Sequence, residues 1–211
     1  DGSLKQVPSA WDFPQVTPET FALPEVRVAR WAGFVFVNPD PDAEPFEQYI
    51  GDLPEHFARW DLGRRYSAAY VEKLLPCNWK IAQEAFMESY HVAATHPQVL
   101  LATADSASQY DISDNWSRAI TPRGYPSEHV RSAPSEQDML DSMVGRGLDD
   151  PVAATLPDGM TARAFVAAGA RANLRNVIGA EADGFCDAEM VDSFYFTLFP
   201  NFHPWGSFNG L

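Results

Sequence analysis

Strand and helix patterns do not alternate along this chain, and no other sequence feature restricts its fold as much. Val26-Arg27-Val28-Ala29-Arg30 alternates as a half-buried strand does, and Gly33-Phe34-Val35-Phe36-Val37 is a short run of buried-strand type. Asn38-Pro39-Asp40-Pro41-Asp42 then stops the run as a turn or boundary. Residues 45–60 read as a short helical region broken near Gly51 and Pro54, and residues 66–75 carry another strand pattern ending at Pro76. With Asn78 as N-cap, Trp79, Ala82, Ala85, Phe86 and Tyr90 recur at helical spacing. Residues 102–134 are polar and turn-rich, the profile of a lid or mobile loop. Ser135 with Asp138 has the pattern of a capping box before a short helix that Gly145 would end. Thr161 opens an alanine-rich helix with Phe165, Ala168, Ala172 and Leu174 on its buried side and Gly179 as its stop. Residues 190–199 alternate around an aromatic strand, which Pro200-Asn201 turns. A parallel sheet with crossover helices needs regular alternation. The expected class is therefore mixed α+β, with an antiparallel sheet and helices packed on it.

Composition removes several functions. Of 211 residues 45% are hydrophobic and 13% aromatic, enough for a real core and too many for a disordered chain. No apolar run approaches the roughly 20 residues of a membrane span, and Asp1-Gly2-Ser3-Leu4-Lys5-Gln6 resembles no signal peptide. Fifteen Lys and Arg against 29 Asp and Glu give a net charge of −14. The basic residues are scattered, which argues against nucleic acid or a membrane surface as partner. Cys77 and Cys186 cannot build a disulfide framework or a four-cysteine metal site. They are expected to be small buried hydrophobes in a reduced, cytoplasmic protein.

The segment from Asn78 to Pro97 concentrates the chemistry. Two of the five histidines, His91 and His96, lie five apart, preceded by Glu84 and Glu88 four apart. On an unbroken helix that histidine spacing is about 140° of rotation, poor for gripping one ion. Pro97 pushes His96 out of the α region, so unwinding between the histidines would let both imidazoles converge on one metal. Glu88, three before His91, can accept the proton of the imidazole nitrogen turned away from the metal. The same residues are also compatible with a solvated helix face and a turn histidine beside a proline.

The string Asn78-Trp79-Lys80 through Glu84, Glu88, Tyr90, His91 and His96-Pro97 resembles the mononuclear-iron motif of Rieske non-haem iron oxygenases, the aromatic-ring-hydroxylating α subunits. Asp1-Gly2-Ser3-Leu4 is similar to the segment after the last cluster ligand of that family's Rieske domain, and the strand 33–37 with Asn38-Pro39-Asp40 to its closing strand. Gly51-Asp52-Leu53 and Phe199-Pro200-Asn201 resemble the start of the catalytic domain and a strand end within it.

The resemblance implies residues 1–42 as the end of a Rieske [2Fe-2S] domain and 43–211 as part of a helix-grip (START-like) catalytic domain. His91 and His96 would be two ligands of Fe(II) in a 2-His-1-carboxylate triad. The third, a carboxylate, would lie beyond Leu211, with Asp187 and Asp192 as in-chain substitutes. Glu88 would pass an electron across a subunit interface, with Tyr90 as a hydrogen-bonding neighbour, Glu84 in support and Phe86 facing the substrate. Where some members carry Asn, this chain has Ala85, so that amide's role is absent. Neither cysteine has a histidine in the register a Rieske cluster needs, so the chain reads as an internal fragment, inactive alone. The implied reaction uses O₂ to hydroxylate a hydrophobic, aromatic molecule. NAD(P)H would supply electrons through a reductase, with or without a ferredoxin, to an α3 or α3β3 assembly. The alternative is a metal-free helix-grip module that binds an apolar small molecule. His56 reads as an exposed residue of a polar helix, His129 as part of the polar stretch, and His203 as a structural histidine after a strand turn.

Overall fold

Ala32 and Gly33 adopt φ of 52° and 87°, the two left-handed positions that a tight two-residue hairpin requires. They join β1 (Arg27–Trp31) to β2 (Phe34–Asn38), with Ala29 opposite Phe36 and Trp31 opposite Phe34. The ring of Phe36 lies 4.5 Å from that of Phe46, and Trp31 meets Phe57 edge-on at 5.4 Å. Those partners belong to α1 (Phe46–Ile50) and α2 (Leu53–Phe57), which bury Ile50, Leu53 and Phe57. The helical region 45–60 thus breaks at Gly51 and Asp52 as expected, but not at Pro54, which sits in the first turn of α2, where its missing N–H has no partner to lose.

This computed structural model describes residues 2–144 and 154–206, and the chain divides into two compact units, residues 1–71 and 72–211. The division falls inside residues 66–75, where a strand was expected and none forms. Tyr66, Tyr70, Val71 and Leu74 are all exposed there. An alternating pattern makes a strand only when a neighbour supplies the ladder of hydrogen bonds, and none does so here among the described residues.

The second unit holds a four-stranded antiparallel sheet ordered β3 (Gln109–Ile112), β4 (Trp116–Thr121), β5 (Ser193–Leu198) and β6 (Trp205–Gly206). Two of these strands come from residues 102–134, expected to be a lid or loop. Sequence concealed them because both are short and polar, yet β4 is internal to the sheet. It buries Trp116, Ala119 and Thr121, and it pairs along its whole length with β5. Arg118 secures the β3–β4 hairpin through Asp111, with Nε 2.9 Å and Nη2 2.6 Å from Oδ2.

Helices supply the larger apolar cluster. Ser135 caps α5 (Glu136–Met143) in a reciprocal box, its Oγ accepting from Asp138 N–H at 3.1 Å while Asp138 accepts from Ser135 N–H at 2.9 Å. Thr161 caps α6 (Ala162–Ile178), and Gly179 ends it. Met139, Leu140 and Met143 pack with Ala162, Ala167 and Ala170, and with Phe185, Met190 and Val191 from the turns and short helix α7 (Asp187–Val191). The buried stripe of α6 differs from the expected one: Ala168 and Ala172 are exposed, while Phe165 and Leu174 are half-buried at the cluster's edge. Small Ala167 and Ala170 admit the methionines of α5, so the interface centres on them. The expected helix stop at Gly145 lies outside the described residues.

One polar knot crosses this unit. Arg163 of α6 grips Asp192, the residue between α7 and β5, through two bonds of 2.5 and 3.1 Å. Asp192 also accepts the backbone N–H of Arg123 at 3.0 Å, and its carboxylate holds Arg163 above the ordinary guanidinium pKa. Gly124 lies against the same arginine at φ 80°, where a Cβ would stand 2.6 Å from Arg163 Cβ. Only glycine fits that approach.

Candidate metal centre

Asn78 begins α3 (Trp79–Glu84) as expected, its side chain accepting from Lys80 N–H at 2.9 Å. The helix does not continue to Tyr90. It stops at Glu84, turns follow through Met87, and none of its side chains is buried. Two side-chain bonds, one local and one long-range, accompany the stop. Glu88 Oε2 accepts the backbone N–H of His91 at 3.0 Å, and Ser89 Oγ donates to the Asp105 carbonyl at 2.8 Å. Such bonds offer the backbone an alternative to the helical ladder.

The single-turn helix α4 (Val92–Thr95) then separates the two histidines. His91 is its N-cap, and His96 leaves it at φ −125°, ψ 48°, the departure that a following proline enforces. Unwinding therefore occurs before His91 and at His96, and the residues between them stay helical. The two rings nonetheless come together, with centroids 5.4 Å apart and planes at 80°.

That spacing suits a shared ion. Two imidazoles with nitrogens at about 2.0–2.1 Å from one metal place their ring centroids roughly 5 Å apart. Glu88 prepares one of them: its Oε1 accepts from Nδ1 of His91. Partial burial opposes the charge on Glu88, but hydrogen bonds from the His91 ring and from the His91 and Tyr90 backbone outweigh it and keep the carboxyl below its usual pKa range. An ionised carboxylate can only accept, so Nδ1 donates a proton to it, which leaves Nε2 as the ring nitrogen that a metal would take. Among the described residues no third His, Cys, Asp or Glu completes a metal-holding group with them. Both in-chain substitutes are engaged elsewhere, Asp192 with Arg163 and Asp187 with Arg171 at 2.7 Å.

Glu84 is exposed at the end of α3. Tyr90 is 87% exposed, directed away from any core. Phe86 sits 6.1 Å from Trp205, which stacks on Tyr195 at 5.5 Å, while Trp79 approaches Phe199 at 5.9 Å. An aromatic surface thus joins the turn after α3 to β5 and β6. Sequence reasoning missed Trp205 and Tyr195, although the alternation of the aromatic strand carried a hint of the latter. It missed Ser89 and Tyr110 entirely, because lone hydroxyls carry no pattern. His129 is exposed, with Nε2 3.8 Å from Asp105 Oδ2. His56 is half-buried, as is His203, whose burial lowers its pKa. Cys77 and Cys186 are free and exposed, against the expectation of buried thiols: they flank the starts of short helices, outside the apolar cluster. No helix among the described residues is long and apolar enough to cross a membrane.

The chain is 32% identical over 100 residues to chlorobenzene dioxygenase subunit alpha of Cupriavidus sp. (strain PS12), covering 44% of this chain and 22% of that protein. It is 36% identical over 80 residues to the large oxygenase component of salicylate 5-hydroxylase from Ralstonia sp., covering 37% and 19%. With carnitine monooxygenase oxygenase subunit of Acinetobacter pittii (strain PHEA-2) it shares 28% over 102 residues, covering 46% and 27%. The chain thus spans about a quarter or less of the length of these relatives. Among solved structures, naphthalene 1,2-dioxygenase with indole bound in the active site matches 97% of this chain and 44% of its own at 17% identity and a TM-score of 0.46. The profile of the ring hydroxylating alpha subunit (catalytic domain) covers residues 57–203, well over half of the sequence. The chain belongs to that family, by way of its catalytic domain.

Proposed function

We propose that this chain is the catalytic portion of a Rieske-type oxygenase α subunit in which His91 and His96 hold a mononuclear Fe(II). The observation that carries the reading is the pair of imidazoles 5.4 Å apart, one of them fixed through Nδ1 by an ionised Glu88. Bound there with a third, carboxylate ligand from beyond Leu211, Fe(II) supplies O₂ activation that side chains lack. The chain's own contribution is orientation: Glu88 sets the tautomer and tilt of His91, and the turn at Pro97 aims His96. Residues 1–42 are the closing part of a Rieske domain, and residues 43–211 belong to the helix-grip catalytic domain. Neither cysteine has a histidine two or three residues after it, so this chain itself offers no [2Fe-2S] site, and the cluster belongs to the rest of the subunit.

The substrate in this reading is a hydrophobic, aromatic small molecule, in keeping with the aromatic surface that Phe86, Trp205 and Tyr195 form at the turn after α3. Electrons come from NAD(P)H through a reductase, with or without a ferredoxin, to an α3 or α3β3 assembly in the cytoplasm. Glu88, lying against the outer nitrogen of His91, carries the electron between subunits, with Tyr90 and Glu84 as its neighbours in the motif.

Glu88→Gln in the complete subunit separates these roles. The amide keeps the size of the side chain but removes its charge, so the fold should persist and iron, bound about 10–100-fold more weakly, should still load when supplied in excess, while single-turnover reduction of the loaded iron slows by about 10²-fold. Unchanged electron transfer would remove Glu88 from the route. Turnover of benzene-, biphenyl- and salicylate-type rings beside a quaternary ammonium compound tests the substrate class. Oxidation confined to the last would contradict the aromatic reading.

A further inference from the structure

The stretch 85–90, which carries Glu88, has left the helical ladder, so something else must hold it in place. Ser89 supplies that hold. Its Oγ donates to the Asp105 carbonyl at 2.8 Å and lies 3.0 Å from the hydroxyl of Tyr110. A carbonyl only accepts, so the single Ser89 proton is committed to it and Tyr110 must donate to Ser89. The result is a directed chain, Tyr110 O–H to Ser89 O–H to Asp105 C=O, in which each bond polarises the next.

Both ends of this chain are firm. Tyr110 belongs to β3, paired with Ala119 of the internal strand β4. Asp105, 4% exposed, is held by its neighbours: its carbonyl also accepts from Ser108 Oγ at 2.8 Å, and the adjacent Ala104 N–H donates to the Pro122 carbonyl at 3.1 Å. The Ser89 carbonyl in turn accepts the Val92 N–H at 3.1 Å, which starts the single turn of α4 between the histidines. Ser89 therefore links the sheet to the turn on which both Glu88 and His91 depend.

We propose that Ser89 is a positioning residue of the metal centre: through Tyr110 and Asp105 it anchors the Glu88–His91 turn and so sets how tightly His91 and His96 hold an ion. This rests on the iron reading. The test is titration of the metal-free complete subunit with Co(II), following affinity and the visible d–d bands, with melting temperature measured alongside. Ser89→Ala should weaken Co(II) binding about tenfold and shift the bands, with the melting temperature falling by no more than about 3 °C. Ser89→Thr, which keeps the hydroxyl, should restore the affinity, and Tyr110→Phe should show a smaller loss than Ser89→Ala. If Ser89→Ala does not fold, Tyr110→Phe and Ser89→Thr decide: wild-type affinity in Tyr110→Phe overturns the anchor. If His91→Ala abolishes Co(II) binding but Ser89→Ala binds as wild type does, the anchor is wrong and the iron reading stands. If His91→Ala binds Co(II) as tightly as wild type, the iron reading falls and the anchor with it.

Discussion

Replacing His91 or His96 with alanine in the complete subunit is expected to remove stoichiometric iron and oxygenation while leaving the fold nearly intact. Neither ring lies in the apolar cluster, and His96 is exposed. Truncation of such residues moves stability by about 0.5 kcal/mol. The loss at the metal is much larger. A change in a partner that merely supports a ligand weakens metal affinity by roughly 10–100-fold, and loss of a ligand itself exceeds that. Iron content after dialysis, read against melting temperature, separates the two effects. Iron retained in both single variants would show that the histidines are bystanders.

The largest effect on stability is expected at Asp192→Ala. Asp192 and Arg163 have side-chain exposures of 7% and 15%, and both carboxylate oxygens are used by the guanidinium. Removing one partner leaves a mostly buried charge unpaired, at a cost of about 3–5 kcal/mol, which for a domain of this size is a fall of roughly 10 °C in melting temperature. The Arg123 N–H loses its acceptor as well. The double variant Arg163→Met with Asp192→Leu should recover part of the loss, because two apolar side chains need no mutual compensation. A melting temperature within about 2 °C of wild type for Asp192→Ala would mean that the knot is solvated and contributes little.

The same carboxylate shows how far the sequence could be read. Asp192 reads in the sequence as a member of an alternating strand, and with Asp187 as one of two in-chain substitutes for the third iron ligand. Its commitment to Arg163, 29 positions earlier, is a tertiary fact that no local pattern carries. The helix caps at Asn78, Ser135 and Thr161 were legible because each depends on a side chain and a backbone N–H two or three residues away. β4 was not, because Trp116-Ser117-Arg118-Ala119-Ile120-Thr121 becomes a strand only once β3 and β5 flank it. At the histidines, the effect of Pro97 on His96 was readable from steric rules alone. The early end of α3 was not, since it depends on Ser89 reaching Asp105 sixteen residues away. The motif thus announced which two rings lie close together, while a long-range hydroxyl bond fixes the turn that follows α3 ahead of them.

In the proposed reading one metal sits between His91 and His96. Anomalous diffraction at the iron edge, from crystals of the Fe(II)-loaded complete subunit, tests it most directly. One peak should appear within about 2.0–2.3 Å of a nitrogen of each ring, with Nδ1 of His91 still turned to Glu88. A peak at one ring alone, or iron bound elsewhere with the two imidazoles empty, would show that the histidine pair does not hold the metal.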